Sequence, residues 1–476
     1  MRVLFVSAEV SPFAKTGGLA DVALALPRSL AASGIDVRVV MPKYRAVGDK
    51  TETREETRLS VPVAGAEKPC VVFSGSLPES EVPIHFLGND PYYDRPEIYG
   101  EGAEYPDALE RFTFFSRGAL ELCAALEWIP DLIHINDWHT GLIPGYLADH
   151  VVPGLESART LLTIHNLGYQ GEFPGDQAAI PGLSESTLEP YWHRSKLNLL
   201  KGGILRADLV NTVSPTYAEE ILHEGAGLEE ALRAREDSLF GVINGIDMDE
   251  WDPATDSHLW ATFDKDDLAG KAENKARLQE ELGLAADPAA PILGVISRLA
   301  EQKGFDLVMS AFDRMMELPV QFVLLGTGSE EYEAFFREAQ TRYAGRVSSM
   351  ITFSEPWAHR IEAASDMFLM PSHYEPCGLN QQYSLRYGTV PVVRATGGLR
   401  DTVHPYDSAT DDGNGFLFEQ PTPEAFLDAV RRAVDLFTQD PEAWDRLRRR
   451  GMAQDLSWDA SAVAYRKLYE KTLESA

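Results

Sequence analysis

The sequence predicts an α/β protein built from two Rossmann-like domains that face each other across a cleft. Three observations carry this expectation. Short continuous apolar runs recur along the chain and read as strands buried on both faces, because they do not alternate with polar residues. Most are followed by a polar or glycine-bearing turn and then by apolar residues at helical spacing. The whole series starts again at Pro291 after an acidic connecting stretch. At 476 residues the chain is too long for one hydrophobic core.

Residues 2–7 (RVLFVS) form the first strand, 8–18 a loop, 19–30 a helix and 35–41 a second strand. This opening resembles a dinucleotide site at first sight, but the loop reads Lys15-Thr16-Gly17-Gly18 rather than G-x-G-x-x-G. The second strand ends in Met41-Pro42-Lys43 with no acid for a ribose. A nicotinamide cofactor is therefore not expected. Glycines opening a helix just after a lysine still make a phosphate site.

From about Lys50 to Pro83 the pattern is short and β-like, as in a hairpin insertion. Asn89 to Asp107 is aromatic, turn-rich and aperiodic, and ordered loops of that length tend to be functional. A helix is expected over 109–125 and a strand over 131–135, ending in Asn136-Asp137-Trp138-His139. Strand 160–164 ends in His165-Asn166-Leu167-Gly168, and strand 209–213 in Ser214-Pro215. A lone histidine such as His165 is usually a satisfied core residue. Here four strands end in polar or glycine residues, and sheet topology gathers such ends along one edge.

Asn244-Gly245-Ile246-Asp247 opens a turn in an acidic, Pro-terminated hinge, and Asp247-x-Asp249 within it is not expected to hold a metal. A helix over 271–282 leads to strand 292–296, a loop with Ser297-Arg298 and Lys303-Gly304, and a helix from Phe305. Strand 322–325, strand 350–353 and helix 359–365 come next. Strand 366–371 then runs into Glu375-Pro376-Cys377-Gly378, helix 380–387, strand 390–393 and Thr396-Gly397-Gly398. A carboxylate beside amide donors at the end of a parallel strand suits a polyhydroxylated, phosphate-bearing ligand. Helices 423–437 and 441–452 complete the second series, and an amphipathic segment from Ser457 to Leu473 crosses back onto the first domain. The expected boundaries are 1–248, 249–457 and 458–476.

Composition narrows the function. Hydrophobic residues make up 44% and charged residues 25%, and the net charge is −31. Nucleic acid is excluded as a partner because a phosphate backbone requires a basic face. No apolar run spans a membrane and no signal core opens the chain, so a cytoplasmic protein is expected. Cys70, Cys123 and Cys377 form neither a disulfide framework nor a metal-ligand pattern. Only 12 of the 43 basic residues are lysine, and an acid-rich, Lys-poor chain suits a salty interior.

Seven stretches occur in order: Lys15-Thr16-Gly17-Gly18-Leu19, His134-x-Asn136-Asp137-Trp138-His139, His165-Asn166, Asn244-Gly245-Ile246-Asp247, Ser297-Arg298 with Lys303-Gly304, Glu375-Pro376-Cys377-Gly378-Leu379, and Thr396-Gly397-Gly398-Leu399. With them the chain resembles the bacterial glycogen synthase and plant starch synthase family of retaining glycosyltransferases with the GT-B fold, from residue 1 to the final SWDASAVAYRKLY segment. The resemblance implies ADP-glucose as donor and the non-reducing end of an α-1,4-glucan as acceptor. It also implies an acceptor side in the first domain, with part of the donor site, and nucleotide-sugar binding in the second. No cofactor and no metal are expected, and the oligomeric state is left open.

The carry-over makes Glu375, His165, Asp137, Arg298 and Lys303 the expected catalytic group. Arg298 and Lys303 match the family's cations on the outer diphosphate, with Lys15 and the Gly17 and Gly18 amides serving the same group. Glu375 matches the acid that holds donor sugar hydroxyls, with the backbone around Cys377 and Gly378 beside it. Asp137, His165 and Asn244 match positions around the glucose. Asp21, Asn166, Leu379 and Thr396 complete the expected substrate-binding set. Retention by double displacement needs a carboxylate beneath the anomeric carbon and an acid above it. The motifs offer no such pair, so front-face substitution is expected, with Asp137 as nucleophile the alternative. Many retaining GT-B relatives carry a second Glu eight positions after the first, where this chain has Tyr383; the ribose partner stays open. A UDP-glucose-using transferase, a phosphorylase with a pyridoxal-lysine and an inactive glucan-binding homologue are the other readings.

Overall fold

A computed structural model describes residues 1–51, 53–100 and 102–474. Glu52, Glu101, Ser475, Ala476 and the side chain of Asp49 lie outside it. The expected 50–83 insertion, 89–107 loop and 458–476 segment are thus described except at those residues. The chain divides into two compact units. The first holds Met1–Val213, Ala218–Val242 and the segment from Trp458 onwards; the second holds Ser214–Tyr217 and Ile243–Ser457.

The first unit contains strands β1 (Arg2–Val6), β2 (Asp36–Pro42), β3 (Arg54–Val63), β4 (Ala66–Ser76), β5 (Pro83–Gly88), β6 (Leu132–Asn136), β7 (Arg159–Ile164), β8 (Glu172–Pro174), β9 (Trp192–His193), β10 (Lys196–Asn198), β11 (Leu209–Thr212) and β12 (Leu239–Gly241). Among the described residues, nine of them form one sheet in the order β12-β11-β7-β6-β1-β2-β5-β4-β3. It is parallel from β12 to β5 and antiparallel in the β5-β4-β3 edge, so the 50–83 segment extends the main sheet. β6 is buried along its whole length, and its two polar members are satisfied there: His134 is bonded on both ring nitrogens and Asn136 Nδ2 donates to Val6 O. The helix Gly18–Ala32 turns Leu19, Val22, Ala23, Leu26 and Leu30 into the core and tolerates an internal Pro27. The Trp458–Glu474 helix packs against it and against β6 and β7. Tyr469 Oη lies 2.8 Å from His134 Nδ1, and Asn211 Nδ2 donates to Tyr465 Oη at 3.2 Å. These buried bonds explain why the last helix folds with the first unit.

The second unit contains β13 (Ile292–Ile296), β14 (Gln321–Leu325), β15 (Val347–Met350), β16 (Met367–Met370), β17 (Val390–Arg394) and β18 (Phe416–Phe418). They form a parallel sheet in the order β15-β14-β13-β16-β17-β18. Two expectations are corrected here. The strand expected at 350–353 lies at 347–350, because Phe322 pairs with Val347 and Leu325 with Met350. The following helix starts at Glu355, not 359, with Pro356 in its first turn where a missing N–H costs nothing.

Residues 243–248, read from sequence as the end of the first half, pack within the second unit. Ile246 N–H donates to Leu456 O at 2.8 Å, and Gln382 Nε2 donates to Asn244 O at 3.0 Å. The sequence reading lacked β12, after which the chain leaves the first sheet. No helix among the described residues is long and apolar enough to cross a membrane.

Candidate active site

In the first unit, β1 delivers a loop that ends at Gly17, and no side chain caps the helix that follows. Its first amides therefore face outward at the positive end of the helix dipole. Sequence reasoning missed the residue that shapes this loop, Glu9. Its carboxylate, 4% exposed, accepts from Thr16 N–H (2.5 Å), Thr16 Oγ1 (2.6 Å), Gly17 N–H (3.3 Å) and Tyr99 Oη (2.6 Å). The signal for it is an acid in the loop after β1, the same kind of polar residue that follows β6 and β7 at Asp137 and His165. Lys15 Nζ is ion-paired with Asp21 at 2.7 Å, and both side chains are substantially exposed. Such a pair is worth about 0–1 kcal/mol, so Lys15 stays available to an anionic ligand. Glu9→Ala is expected to release the loop and lower kcat/KM for the donor about 100-fold, as misplacement by an ångström does. Steady-state kinetics beside an unchanged circular dichroism spectrum check this.

Asp137 follows β6 at φ 55° and ψ −172°, a backbone region that costs a non-glycine residue about 1–3 kcal/mol. What fixes it there is its carboxylate: Oδ1 accepts from His165 N–H at 2.8 Å, and the Asn166 amide also bonds to the group. Burial pushes its pKa up to about 7 while these amides pull the other way. His165 Nε2 lies 2.8 Å from Asn136 Oδ1. Asn136 spends its amide on Val6 O, so it presents oxygen to His165 and fixes Nε2 as the protonated nitrogen. Burial holds His165 down to about 3, so its ring is neutral. Asn166 Oδ1 closes a turn onto Gly168 N–H. His134, from the same motif, is a core residue bonded on both nitrogens.

In the second unit, the end of β16 brings Glu375 and Lys303 together. Lys303 Nζ donates to Glu375 Oε2 at 2.6 Å, and Ser372 Oγ donates to the same oxygen at 3.0 Å. The sequence reading gave this lysine and this acid separate roles; the structure makes them one ion pair, with Glu375 5% exposed. Arg298 is exposed and carries no ion pair among the described residues. The loop geometry depends on two glycines. A Cβ on Gly397 would lie 2.0 Å from Glu375 O, and one on Gly398 2.0 Å from Cys377 O. Gly378 takes φ 72°, and Leu379 precedes the Asn380–Arg386 helix. Thr396 is buried at the start of the Gly397–Thr402 helix. Burial raises the Cys377 thiol to about 12, which removes it as a nucleophile. Asn244 is buried, and its Oδ1 has no hydrogen-bond donor among the described residues. Tyr383 is spent on Trp251, stacked at 3.8 Å and 11°.

Each unit therefore collects its own expected residues at one sheet edge. The first gathers Lys15, Gly17, Gly18, Asp21, Asp137, His165 and Asn166. The second gathers Asn244, Arg298, Lys303, Glu375, Cys377, Gly378, Leu379 and Thr396.

Residues 2–234 match the family model of the starch synthase catalytic domain, and residues 279–451 that of glycosyl transferases group 1. Glycogen synthase from an Anaeromyxobacter species is 46% identical over 98% of this chain and 99% of its own length. Glycogen synthase from Thermotoga petrophila is 44% identical over 99% of each. Among solved structures, the catalytic domain of Starch Synthase IV from Arabidopsis thaliana bound to ADP and acarbose matches with a TM-score of 0.89 at 36% identity, covering 99% of both chains. Sucrose-phosphate synthase from Thermosynechococcus elongatus matches with a TM-score of 0.62 at 19% identity over 100% of both, a likeness of fold alone. With full-length relatives at this identity, the chain belongs to the glycogen synthase and starch synthase family of GT-B glycosyltransferases.

Proposed function

We propose that the chain transfers glucose from ADP-glucose to the non-reducing end of an α-1,4-glucan with retention of configuration. The observation that carries this reading is the buried Glu375–Lys303 pair at the end of β16 in a chain of this family. The ADP in the Arabidopsis starch synthase structure supports the choice of nucleotide.

As the bond from the anomeric carbon to the diphosphate oxygen breaks, its electron pair leaves with ADP and negative charge builds on the phosphate. Arg298, Lys303, Lys15 and the Gly18 amide favour that state over the ground state, while the Gly17 amide, expected to join them, is held by Glu9. The acceptor hydroxyl attacks from the same face and its proton passes to the departing phosphate oxygen, so no protein acid and no metal enters the step. Glu375 takes donor sugar hydroxyls, and the unpartnered Asn244 Oδ1 offers a buried acceptor for another. The His165 amide is spent on Asp137, which leaves its carbonyl for the sugar.

The same bonds make Asp137 a brace for the His165 loop rather than a nucleophile. Asp137→Asn keeps one amide acceptor and is expected to lower kcat about 10- to 100-fold. Loss of about 10⁴ or more, with a glucosyl-Asp137 adduct in mass spectra, would reverse the assignment. Transfer of labelled glucose to glycogen, run in parallel with ADP-glucose and UDP-glucose, tests the whole reading. Absence of transfer, or a preference for UDP-glucose, overturns it.

A further inference from the structure

The helix Glu355–Ala364 carries Glu355 and His359 one turn apart on one face. His258 meets them there, and one ligand-capable atom from each of the three lies within 4.8 Å of the others. His359 is the informative member. It is 1% exposed, and its Nδ1 sits 2.7 Å from Asp256 Oδ2. Asp256 is itself buried and also accepts from Tyr387 Oη (2.6 Å) and His258 N–H (2.8 Å). A carboxylate at that distance places the ring proton on Nδ1 and the lone pair on Nε2. Nε2 is buried and has no hydrogen-bond partner among the described residues. A buried polar atom left without a partner is costly and calls for an occupant.

We propose that His359 Nε2, His258 and Glu355 bind one divalent transition-metal ion of the zinc type, with Asp256 as the carboxylate that orients His359. Two imidazoles and one carboxylate suit such an ion, whereas calcium and magnesium select oxygen-only sets. The Asp256–His359 contact is the arrangement that fixes the tautomer of a metal-bound histidine. The ring is also held flat on Trp251, 3.9 Å away at 10°, and Arg360 Nε–H fixes the His258 carbonyl at 2.9 Å. Ligand atoms of a tetrahedral zinc site stand about 3.3–3.5 Å apart. The exposed Glu355 side chain swings inward to close the set, while His359 is already in place. The fourth position falls to water.

The ion's role is structural. Trp251 stacks on His359 with one face and on Tyr383 with the other. Tyr383 belongs to the short helix that follows the Glu375–Leu379 loop. Ion binding thus pins the acidic 251–258 segment and stiffens the support behind that loop. The site stands apart from the donor reading, since none of its ligands takes part in transfer. It also departs from the sequence expectation of no metal: His258 comes from a different part of the chain from the Glu355 and His359 pair, so the three form no local motif.

The test uses the full chain purified without a polyhistidine tag and stripped with a chelator. Cobalt(II) is titrated in while its visible ligand-field bands are followed, then displaced with zinc. One ion per chain is expected, with a rise in Tm. His258→Ala and Glu355→Ala are each expected to weaken binding at least about tenfold and to keep the metal-free Tm of the parent. His359→Ala also removes core packing, so the other two variants carry the test. The proposal fails if the double variant His258→Ala/Glu355→Ala takes up cobalt as the parent does. It fails equally if the parent binds no ion, or if zinc raises the Tm of both alike.

Discussion

Replacing Glu375 by alanine is expected to lower kcat about 10²- to 10³-fold, because under the proposed function the residue joins the sugar end of the donor to a leaving-group cation. Its carboxylate is 5% exposed and holds Lys303 and Ser372 through one oxygen. Under the proposed function Oε1 is the oxygen that takes the donor sugar, since both of these bonds go to Oε2. Its carbonyl also receives the Gly398 amide, but that main-chain bond survives the substitution. Truncation strands the Lys303 ammonium, which is only 20% exposed, and should cost about 1–3 kcal/mol of stability as a charged hydrogen bond is lost. Glu375→Gln separates the two effects. It keeps the shape and an acceptor but loses the charge, so kcat should still fall while Tm moves less than in the alanine variant. Steady-state kinetics with ADP-glucose and thermal denaturation of both variants provide the check. Activity within tenfold of the parent in Glu375→Ala would remove the acid from the mechanism.

Arg298→Ala should be of similar size in kcat/KM, about 10²- to 10³-fold, but with a different signature. Arg298 is exposed and has no ion pair among the described residues, so its removal should leave Tm unchanged. Among the described residues its charge is shared with no carboxylate, whereas Lys303 is bound to Glu375 and Lys15 to Asp21. On a chain of net charge −31, an uncommitted cation in the role proposed for Arg298 matters more than it would on a neutral protein. Arg298→Lys should recover part of the loss, since an ammonium keeps the charge without the bidentate fork. Calorimetric titration with ADP should show weaker binding to Arg298→Ala than to the parent. Unchanged ADP affinity together with unchanged turnover would show that Arg298 does not meet the nucleotide.

The parts of the site that could be read from sequence were those set by local pattern. Continuous apolar runs followed by polar or glycine residues marked the ends of β1, β6, β7 and β16, and those ends do carry Lys15, Asp137, His165 and Glu375. Elements whose signal was weak slipped: β12 is three residues long, and without it the stretch around Asn244 was assigned to the first half. Glu9 went unnoticed because nothing near it in sequence says that it will take four hydrogen bonds from Thr16, Gly17 and Tyr99.

The sequence alone determined the order of elements, the two α/β series and the identity of the chemically able side chains, because period and turn chemistry act over a few residues. Only the tertiary structure decided which acid meets which cation, as with Lys303 and Glu375. It also decided that His134 is a core residue while His165 bonds Asn136 and Asp137 beyond the ends of β6 and β7. Pairing and desolvation depend on neighbours brought in from distant parts of the chain, and no local pattern encodes them.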